Sequence, residues 1–397
     1  MNALPNPPSP SNTPSTSSTS QPAAVPAGPA TASTGRVLAI DALRGFDMFW
    51  IVGGHGLVLA LAGLFWNPVP DWLKMQMSHV KWEGFSAWDL IMPLFLFVVG
   101  ASMPFSFARR IEQGTTRGAM YRKIFTRVLI LWILGMIAQG HLLDFKLSTL
   151  KLYSNTLQSI AAGYLVAALV LIHFPRWMHV LVTGGLLAGF WALMTYVSVP
   201  GYGAGQLQEH ANLARYVDDF VLRSFSTGGT YTWITSSLGF AATVLLGVHA
   251  GQMLRSSWSG GMKLLWLVLA GVACLAGGWA WSYHFPIIKH LWTSSMVLWA
   301  GGLSYLLLAF FYLTTDLLQW RRWVFPFVVI GANAIFAYMV THVFDFAALA
   351  NKLVGGLAVQ LSQFSPAGAK LLQAASAVAL LWVILYYMYR NKTFIRV

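Results

Sequence analysis

The sequence predicts an all-α, polytopic membrane protein: a bundle of about ten transmembrane helices with both termini on the cytoplasmic side. Three observations lead there. Of the 397 residues, 57% are hydrophobic and only 9% are charged, whereas a soluble domain carries about a quarter charged residues to cover its surface. Apolar runs near the roughly 20 residues needed to cross a bilayer recur along the chain. The 18 Trp, 14 Tyr and 25 Phe supply rings for the belts at membrane interfaces. The runs are long and continuous rather than short and alternating, which argues against a transmembrane β-barrel.

Residues 1–35 are mainly Ser, Thr, Pro, Ala, Gly and Asn, with no charge. Such a segment has too little apolar surface to fold and reads as a disordered cytoplasmic tail. It lacks the basic start and apolar stretch of a signal peptide. The membrane domain is expected over 36–397, with spans at 45–65, 86–108, 125–140, 156–174, 178–198, 234–253, 264–281, 291–312, 324–348 and 369–388. With the N-terminus inside, the inner connections and tails hold fifteen basic residues, from Arg36 to Arg396, and the outer ones hold nine. Six of the fifteen lie in 109–127 alone. This positive-inside bias sets the orientation. It also gives the formal charge of +13 a source other than a nucleic-acid interface, and no nucleic-acid partner is expected. Cys274 is the lone cysteine and reads as a small buried hydrophobe.

The most informative stretch is 78–93. His79, Trp82 and Asp89 stand there at the mouth of an apolar run, and a carboxylate at the lip of hydrocarbon needs a partner or water. His79 reads either as a solvated loop histidine or as a general base or transient acyl carrier. Asp89 reads as a group that orients the imidazole, as a contact for a substrate amine or hydroxyl, or as the partner of a cation from another span. In the first span, Asp41 and Arg44 fall on one helical face, either as an interfacial ion pair or as a basic floor for an anion. Asp47 lies deeper without an obvious local partner and is expected to face the bundle interior. His55 follows two turns later. Asn155 and Gln158 open the fourth span, Asn155 as a helix cap or both as readers of sugar hydroxyls. Asn333 stands among small residues, a pattern of close helix packing, with His342 and Asp345 beyond it.

No His-Glu-x-x-His pair or cysteine cluster is present, so no metal is expected. Neither a phosphate-binding Gly-x-x-x-x-Gly-Lys loop nor a Gly-x-Ser-x-Gly elbow occurs.

The motifs taken together resemble the heparan-α-glucosaminide N-acetyltransferase family, and within it the bacterial NagX-like branch that carries the DUF5009 label. They run in order over 36–397: Asp41-Ala42-Leu43-Arg44-Gly45; His79 with Trp82 and Gly84; Asp89-Leu90-Ile91-Met92-Pro93 and the run to Gly100; Leu157-Gln158-Ser159-Ile160; Val199-Pro200-Gly201; Leu246-Gly247-Val248-His249-Ala250-Gly251; Pro286 to Ser295; and Gly331-Ala332-Asn333-Ala334. The resemblance implies a transmembrane acetyltransferase of the bacterial inner membrane. It would move acetyl from cytoplasmic acetyl-coenzyme A to the amine of glucosamine or a related amino sugar outside. It implies His79 as the functional histidine, supported by Asp89 and His55. Read from their own positions, Trp82, Asn155, Gln158, Asn333 and Asp47 are the candidate contacts for the acceptor. Arg44, Arg109, Arg122 and Arg127 would hold the coenzyme A phosphates. The chain departs from the pattern at His55, where an Asn is common, at Ser159, where an Arg is common, and at 230–233, where an Asp-Pro-Glu-Gly is missing. These departures leave the acceptor open. So do two rival readings, a transporter of amino sugars and an O-acyltransferase of a surface glycan. Beyond the sugar and the lipid bilayer, a second copy of the chain is the one further partner left open.

Overall fold

The computed structural model describes residues 37–228 and 231–395. The tail expected over 1–35 lies outside the described residues, as do Arg36 and Arg396. The regular elements among those described are helices, accompanied by isolated β-bridges. In chain order they are α1 (Leu38–Phe49), α2 (His55–Phe65), α3 (Asp71–Gln76), α4 (Ile91–Glu112), α5 (Arg117–Gln139), α6 (Thr156–His173), α7 (Arg176–Tyr196) and α8 (Leu213–Leu222). There follow α9 (Ser237–Leu254), α10 (Gly260–Ser282), α11 (Ser294–Tyr312), α12 (Phe325–Ala332), α13 (Ala334–Val343), α14 (Phe346–Ser362) and α15 (Pro366–Arg390).

Local chemistry explains six of the fifteen starts. The side chains of Thr116, Asn155, Asn212, Ser259, Asp345 and Ser365 accept from a backbone N–H in the first turn of the helix each precedes, which satisfies donors that a helix start otherwise leaves orphaned. Pro366 adds a pre-set backbone at the first position of α15.

Eight stretches are long and apolar enough to cross a membrane, and a ninth is formed if α12 and α13 count as one broken span. The molecule is thus a polytopic helical bundle with fewer full spans than the ten expected. Two differences account for this. The expected span 125–140 covers the apolar C-terminal part of α5, with Arg127 inside it, and the rest of the helix carries Arg117, Arg122 and Lys123. The expected span 324–348 is broken at Asn333, where α12 and α13 meet at 75°. The first span also starts earlier than expected. It runs over Leu38–Phe65, with a wider π-type turn at Trp50–Gly54 joining α1 to α2. The structure adds the apolar helix α14, which polar residues such as Asn351, Lys352 and Gln360 hide from a hydropathy reading.

The core sits around α4 and α9. In each, 72% of the most apolar window is buried, against 17% for α10 and 11% for α15, which turn most of their surface outward. Two glycines let α4 and α9 touch. A Cβ on Gly100 would collide with the Val244 carbonyl, and one on Gly247 with the Phe97 carbonyl. Small residues at a helix contact are the usual device for close approach in lipid, where the packing gain replaces a hydrophobic drive. Tyr305 of α11 closes the trio, its ring 4.9 Å from that of Phe97 and its hydroxyl donating to the Leu246 carbonyl at 2.7 Å.

A second, smaller core lies beneath the loops that precede α9 and α11. It gathers Phe190, Met194, Val199, Leu213, Trp233, Phe285 and Ile288, with Trp82 packed against it. This cluster anchors the loop layer on buried side chains.

Candidate active site

The loop 283–293 is fixed by its own polar contacts. Thr293 Oγ1 donates to the Pro286 carbonyl at 2.8 Å and receives the Ile288 N–H at 3.1 Å. The Leu291 carbonyl receives the Ser236 hydroxyl at 2.8 Å, and the His290 carbonyl receives the Trp233 indole N–H at 2.7 Å. A bridge then ties this loop to the segment before α4, with the Gly84 N–H donating to the Ile287 carbonyl at 2.9 Å. Gly84 sits at φ +116°, a conformation costly for any residue with a Cβ. The bridge brings Lys289 beside His79 and Asp89.

Asp89 is the hub. Its side chain is fully buried, while that of His79 is half exposed. His79 Nδ1 lies 2.6 Å from Asp89 Oδ1, and Lys289 Nζ lies 3.2 Å from the same oxygen. The other oxygen, Oδ2, receives the Ser86 N–H at 3.1 Å and the Val80 N–H at 3.4 Å, with the Ser86 hydroxyl 3.0 Å away. Ser86 and Asp89 thereby form a capping box at the entry to α4. Lys289 Nζ is also 3.0 Å from His79 Nδ1. A carboxylate that receives backbone amides and an ammonium is an acceptor, so the consistent proton arrangement has Nδ1–H and Lys289 both donating to Asp89. The Nε2 lone pair is then left on the free edge of the ring, as a base or nucleophile requires.

Trp88 lies against the imidazole, and Trp82 packs on the neighbouring His290. Trp88 lies 6.2 Å from His79 and 4.6 Å from His55, ring centre to ring centre. Trp82 stacks on His290 at 5.5 Å and donates its indole N–H to the Leu207 carbonyl at 2.8 Å. Burial lowers the Lys289 ammonium from its usual value, and the attraction of Asp89 offsets part of that. Burial lowers His290 as well, and the neighbouring Lys289 charge adds to it.

Beside Lys289 stands a polar wall. The Lys289 ammonium lies 5.9 Å from the centre of the Tyr231 ring. The Tyr231 hydroxyl donates to Gln139 Oε1 at 3.2 Å, and the same oxygen receives the Asn155 amide at 3.0 Å. Asn155 donates again to the Tyr338 hydroxyl at 2.9 Å, and the Tyr338 ring lies 4.2 Å from that of His342. Asn155 also caps α6 through the Leu157 N–H at 2.7 Å.

Of the residues singled out in the sequence, His79, Asp89, Trp82, His55 and Asn155 come together in this region or along this wall. Gln158 and Asn333 do not join it. The Gln158 amide is spent on its own loop, receiving the Ser154 N–H at 2.8 Å and donating to the Leu152 carbonyl at 2.7 Å. Asn333 binds the chain after α15, donating to the Thr393 carbonyl at 3.1 Å and receiving the Ile395 N–H at 2.9 Å. Asp47 is wholly buried in α1, and neither of its oxygens has a hydrogen-bond partner among the described residues.

Arg109 lies near the far end of α4, while Arg44 belongs to α1 and Arg122 and Arg127 to α5. With 22 residues at about 1.5 Å each, α4 separates Asp89 from Arg109 by about the thickness of a hydrocarbon core. Arg109 and Arg122 are exposed. The Arg127 guanidinium covers the Tyr164 ring at 4.4 Å, and its Nε is a buried donor without a hydrogen-bond partner among the described residues. That orphaned donor fits an anionic ligand. Arg44 is held by Asp41 at 3.3 Å.

Sequence reasoning assigned no role to Lys289, Ser86, Tyr231, Gln139 or Tyr338. The Ser-x-x-Asp spacing of a capping box was a visible signal for Ser86. Lys289 stands within a recognised motif, with nothing in the sequence to pair it with Asp89.

No protein-family model matches the chain. Curated relatives do. The human heparan-α-glucosaminide N-acetyltransferase is 23% identical over 375 residues, covering 78% of this chain and 53% of the relative. The mouse protein of the same name is 23% identical over 436 residues, covering 91% and 61%. The chain thus spans between about half and three-fifths of the length of the curated relatives it matches.

Proposed function

The chain is a distant relative of the heparan-α-glucosaminide N-acetyltransferases, and on that footing we propose that it transfers acetyl from cytoplasmic acetyl-coenzyme A to the amine of an amino sugar on the opposite, outer face of the membrane. The observation that carries this reading is the contact of 2.6 Å between His79 and the buried Asp89, with Lys289 on the same oxygen. Fixing Nδ1–H on a carboxylate leaves Nε2 to accept a proton, the arrangement general-base chemistry needs.

The acceptor's uncharged amine attacks the thioester carbonyl, and the C–N bond forms as the C–S bond breaks. His79 Nε2 takes the proton from the amine nitrogen and returns it to the departing thiolate. In the alternative order, Nε2 itself carries the acetyl group between donor and acceptor. Tyr231, Gln139, Asn155 and Tyr338 offer phenols and amides to the sugar hydroxyls. Arg127, with its orphaned Nε, and the exposed Arg109 and Arg122 suit the phosphates of the donor. The charge bias of the connections supports a cytoplasmic face for these arginines and an outer face for His79.

Replacing His79 with Ala tests the reading. General-base catalysis contributes about 10²–10⁴-fold, so label transfer from radiolabelled acetyl-coenzyme A to glucosamine by purified protein is expected to fall by at least that lower figure. Wild-type turnover in the variant would remove His79 from the chemistry. An acetyl-imidazole trapped by rapid acid quench separates the two orders.

One observation favours a second reading. The break of 75° between α12 and α13 resembles the discontinuous helices that transporters place at their binding sites. Uptake of glucosamine into liposomes lacking any acetyl donor would favour transport over transfer.

A further inference from the structure

A cleft of about 620 Å³ opens between α2, α14 and α15, and neither the proposed reaction nor the motifs use it. Its two long walls are built from small residues. Gly56, Ala60 and Gly63 line it from α2, and Ala367, Ala374 and Ala377 line it from α15. Their spacing of three, four or seven places each set on one helical face. A Cβ added at Gly56 would meet nothing within 4 Å, so the space is real on that side.

Charge gathers at one end of the cleft. Lys74 and Lys370 both line it, together with polar Asn351 and Gln373, and among the described residues no acidic one does. Asp71 pairs with Lys74 at 3.1 Å, but its side chain is almost wholly exposed, where water weakens the pair. Trp66 lines the cleft, and it and its chain neighbours Phe65, Trp72 and Met75 are all exposed, as aromatic and apolar side chains are at a headgroup level.

The dimensions match a lipid. Both α2 and α15 belong to membrane spans. From Ala367 to Ala377 the rise is about 15 Å at 1.5 Å per residue, half of a hydrocarbon core of about 30 Å, or one leaflet. The cleft therefore presents cations at headgroup level and a narrow apolar channel one leaflet deep.

We propose that this cleft binds one anionic phospholipid of the surrounding membrane, with its phosphate between Lys74 and Lys370 and an acyl chain between α2 and α15. The inference stands on this cleft alone and is independent of the acetyl-transfer reading.

Native mass spectrometry of the delipidated, purified full chain tests it, with phosphatidylglycerol and phosphatidylcholine of identical acyl chains as probes. One phosphatidylglycerol per chain is expected to be retained, at least fivefold more tightly than phosphatidylcholine. The Lys74→Ala/Lys370→Ala double variant is expected to bring phosphatidylglycerol down to the phosphatidylcholine level. Gly56→Leu fills the channel without touching either cation and is expected to weaken both lipids, which keeps the test open should the lysine variant fold poorly. Equal retention of phosphatidylglycerol by wild type and both variants would overturn the proposal. So would its displacement by inorganic phosphate at matched concentration, which would show an anion site with no use for the chain.

Discussion

Lys289 places its ammonium nitrogen 3.2 Å from Asp89 Oδ1, and both side chains are buried, at 6% and 0% exposure. Removing one partner of a buried ion pair leaves the other charge desolvated and unpaired, at a cost of about 3–5 kcal/mol. Lys289→Met is therefore expected to lower thermal stability in detergent more than any change at an exposed lysine. Asp89→Asn combined with Lys289→Met is expected to be less destabilised than the two single variants summed, because the pair is lost as a unit. Strict additivity in that cycle would mean that the two groups do not interact.

Asp218 of α8 is expected to make the loop layer sensitive to pH. It is buried, with Oδ1 receiving the Ile234 N–H at 2.8 Å and Oδ2 lacking a hydrogen-bond partner among the described residues. Burial raises its carboxyl from 3.8 to about 7, and the neighbouring Asp219 adds to the rise. The folded state then binds a proton more tightly than the unfolded chain. Stability from this group is full below the ordinary value of 3.8 and is lost as pH rises toward about 7. Melting temperature is expected to be higher at pH 5.5 than at pH 8, and Asp218→Asn is expected to flatten that difference. An unchanged pH slope in the Asn variant would assign the effect elsewhere.

The contact between α4 and α9 yields a packing prediction with an internal control. Gly247→Val drives a side chain into the Phe97 carbonyl, and such overpacking costs about 1–3 kcal/mol. Gly184, in α7, has nothing within 4 Å of where its Cβ would stand, so Gly184→Ala is expected to be neutral or to stabilise by about 0.4–1 kcal/mol. Comparing the two by thermal melting separates a loss caused by helix contact from a general intolerance of glycine replacement.

The parts of this site that were legible in the sequence are those within one local stretch. His79, Trp82 and Asp89 stand out because charge and imidazole at the lip of an apolar run are conspicuous, and Ser86 shares a capping spacing with Asp89. Lys289 is separated from His79 by 210 positions, and no periodicity connects two loops that meet only once the chain has folded. Gln158 looked like a sugar reader because an amide one turn inside a span is unusual. Its side chain instead satisfies the backbone of the tight loop before α6, a demand that only the folded loop reveals. The break at Asn333 was hidden for a different reason. The residues on either side are continuously apolar, so a hydropathy pattern cannot register a bend of 75°.

Asn155 joins the fold to the proposed acceptor wall, and its two roles can be separated. Its Oδ1 caps α6 by receiving the Leu157 N–H at 2.7 Å, while its Nδ2 donates to Gln139 at 3.0 Å and Tyr338 at 2.9 Å. Asn155→Ala removes the cap as well as both donated bonds. The cap alone is worth about 1 kcal/mol, and buried acceptors left unpaired add to the loss. Asn155→Asp keeps an oxygen for the cap but replaces both donated bonds with a buried negative charge facing the Gln139 oxygen, so its melting temperature is read alongside its kinetics. If the wall orients the acceptor, the Asp variant is expected to raise KM for glucosamine while KM for acetyl-coenzyme A stays near wild type. If Asn155 serves the fold alone, the Asp variant is expected to leave both KM values unchanged, and the Ala variant is expected to lower only the yield of folded protein. Steady-state kinetics of the two variants alongside their melting temperatures decide between these outcomes.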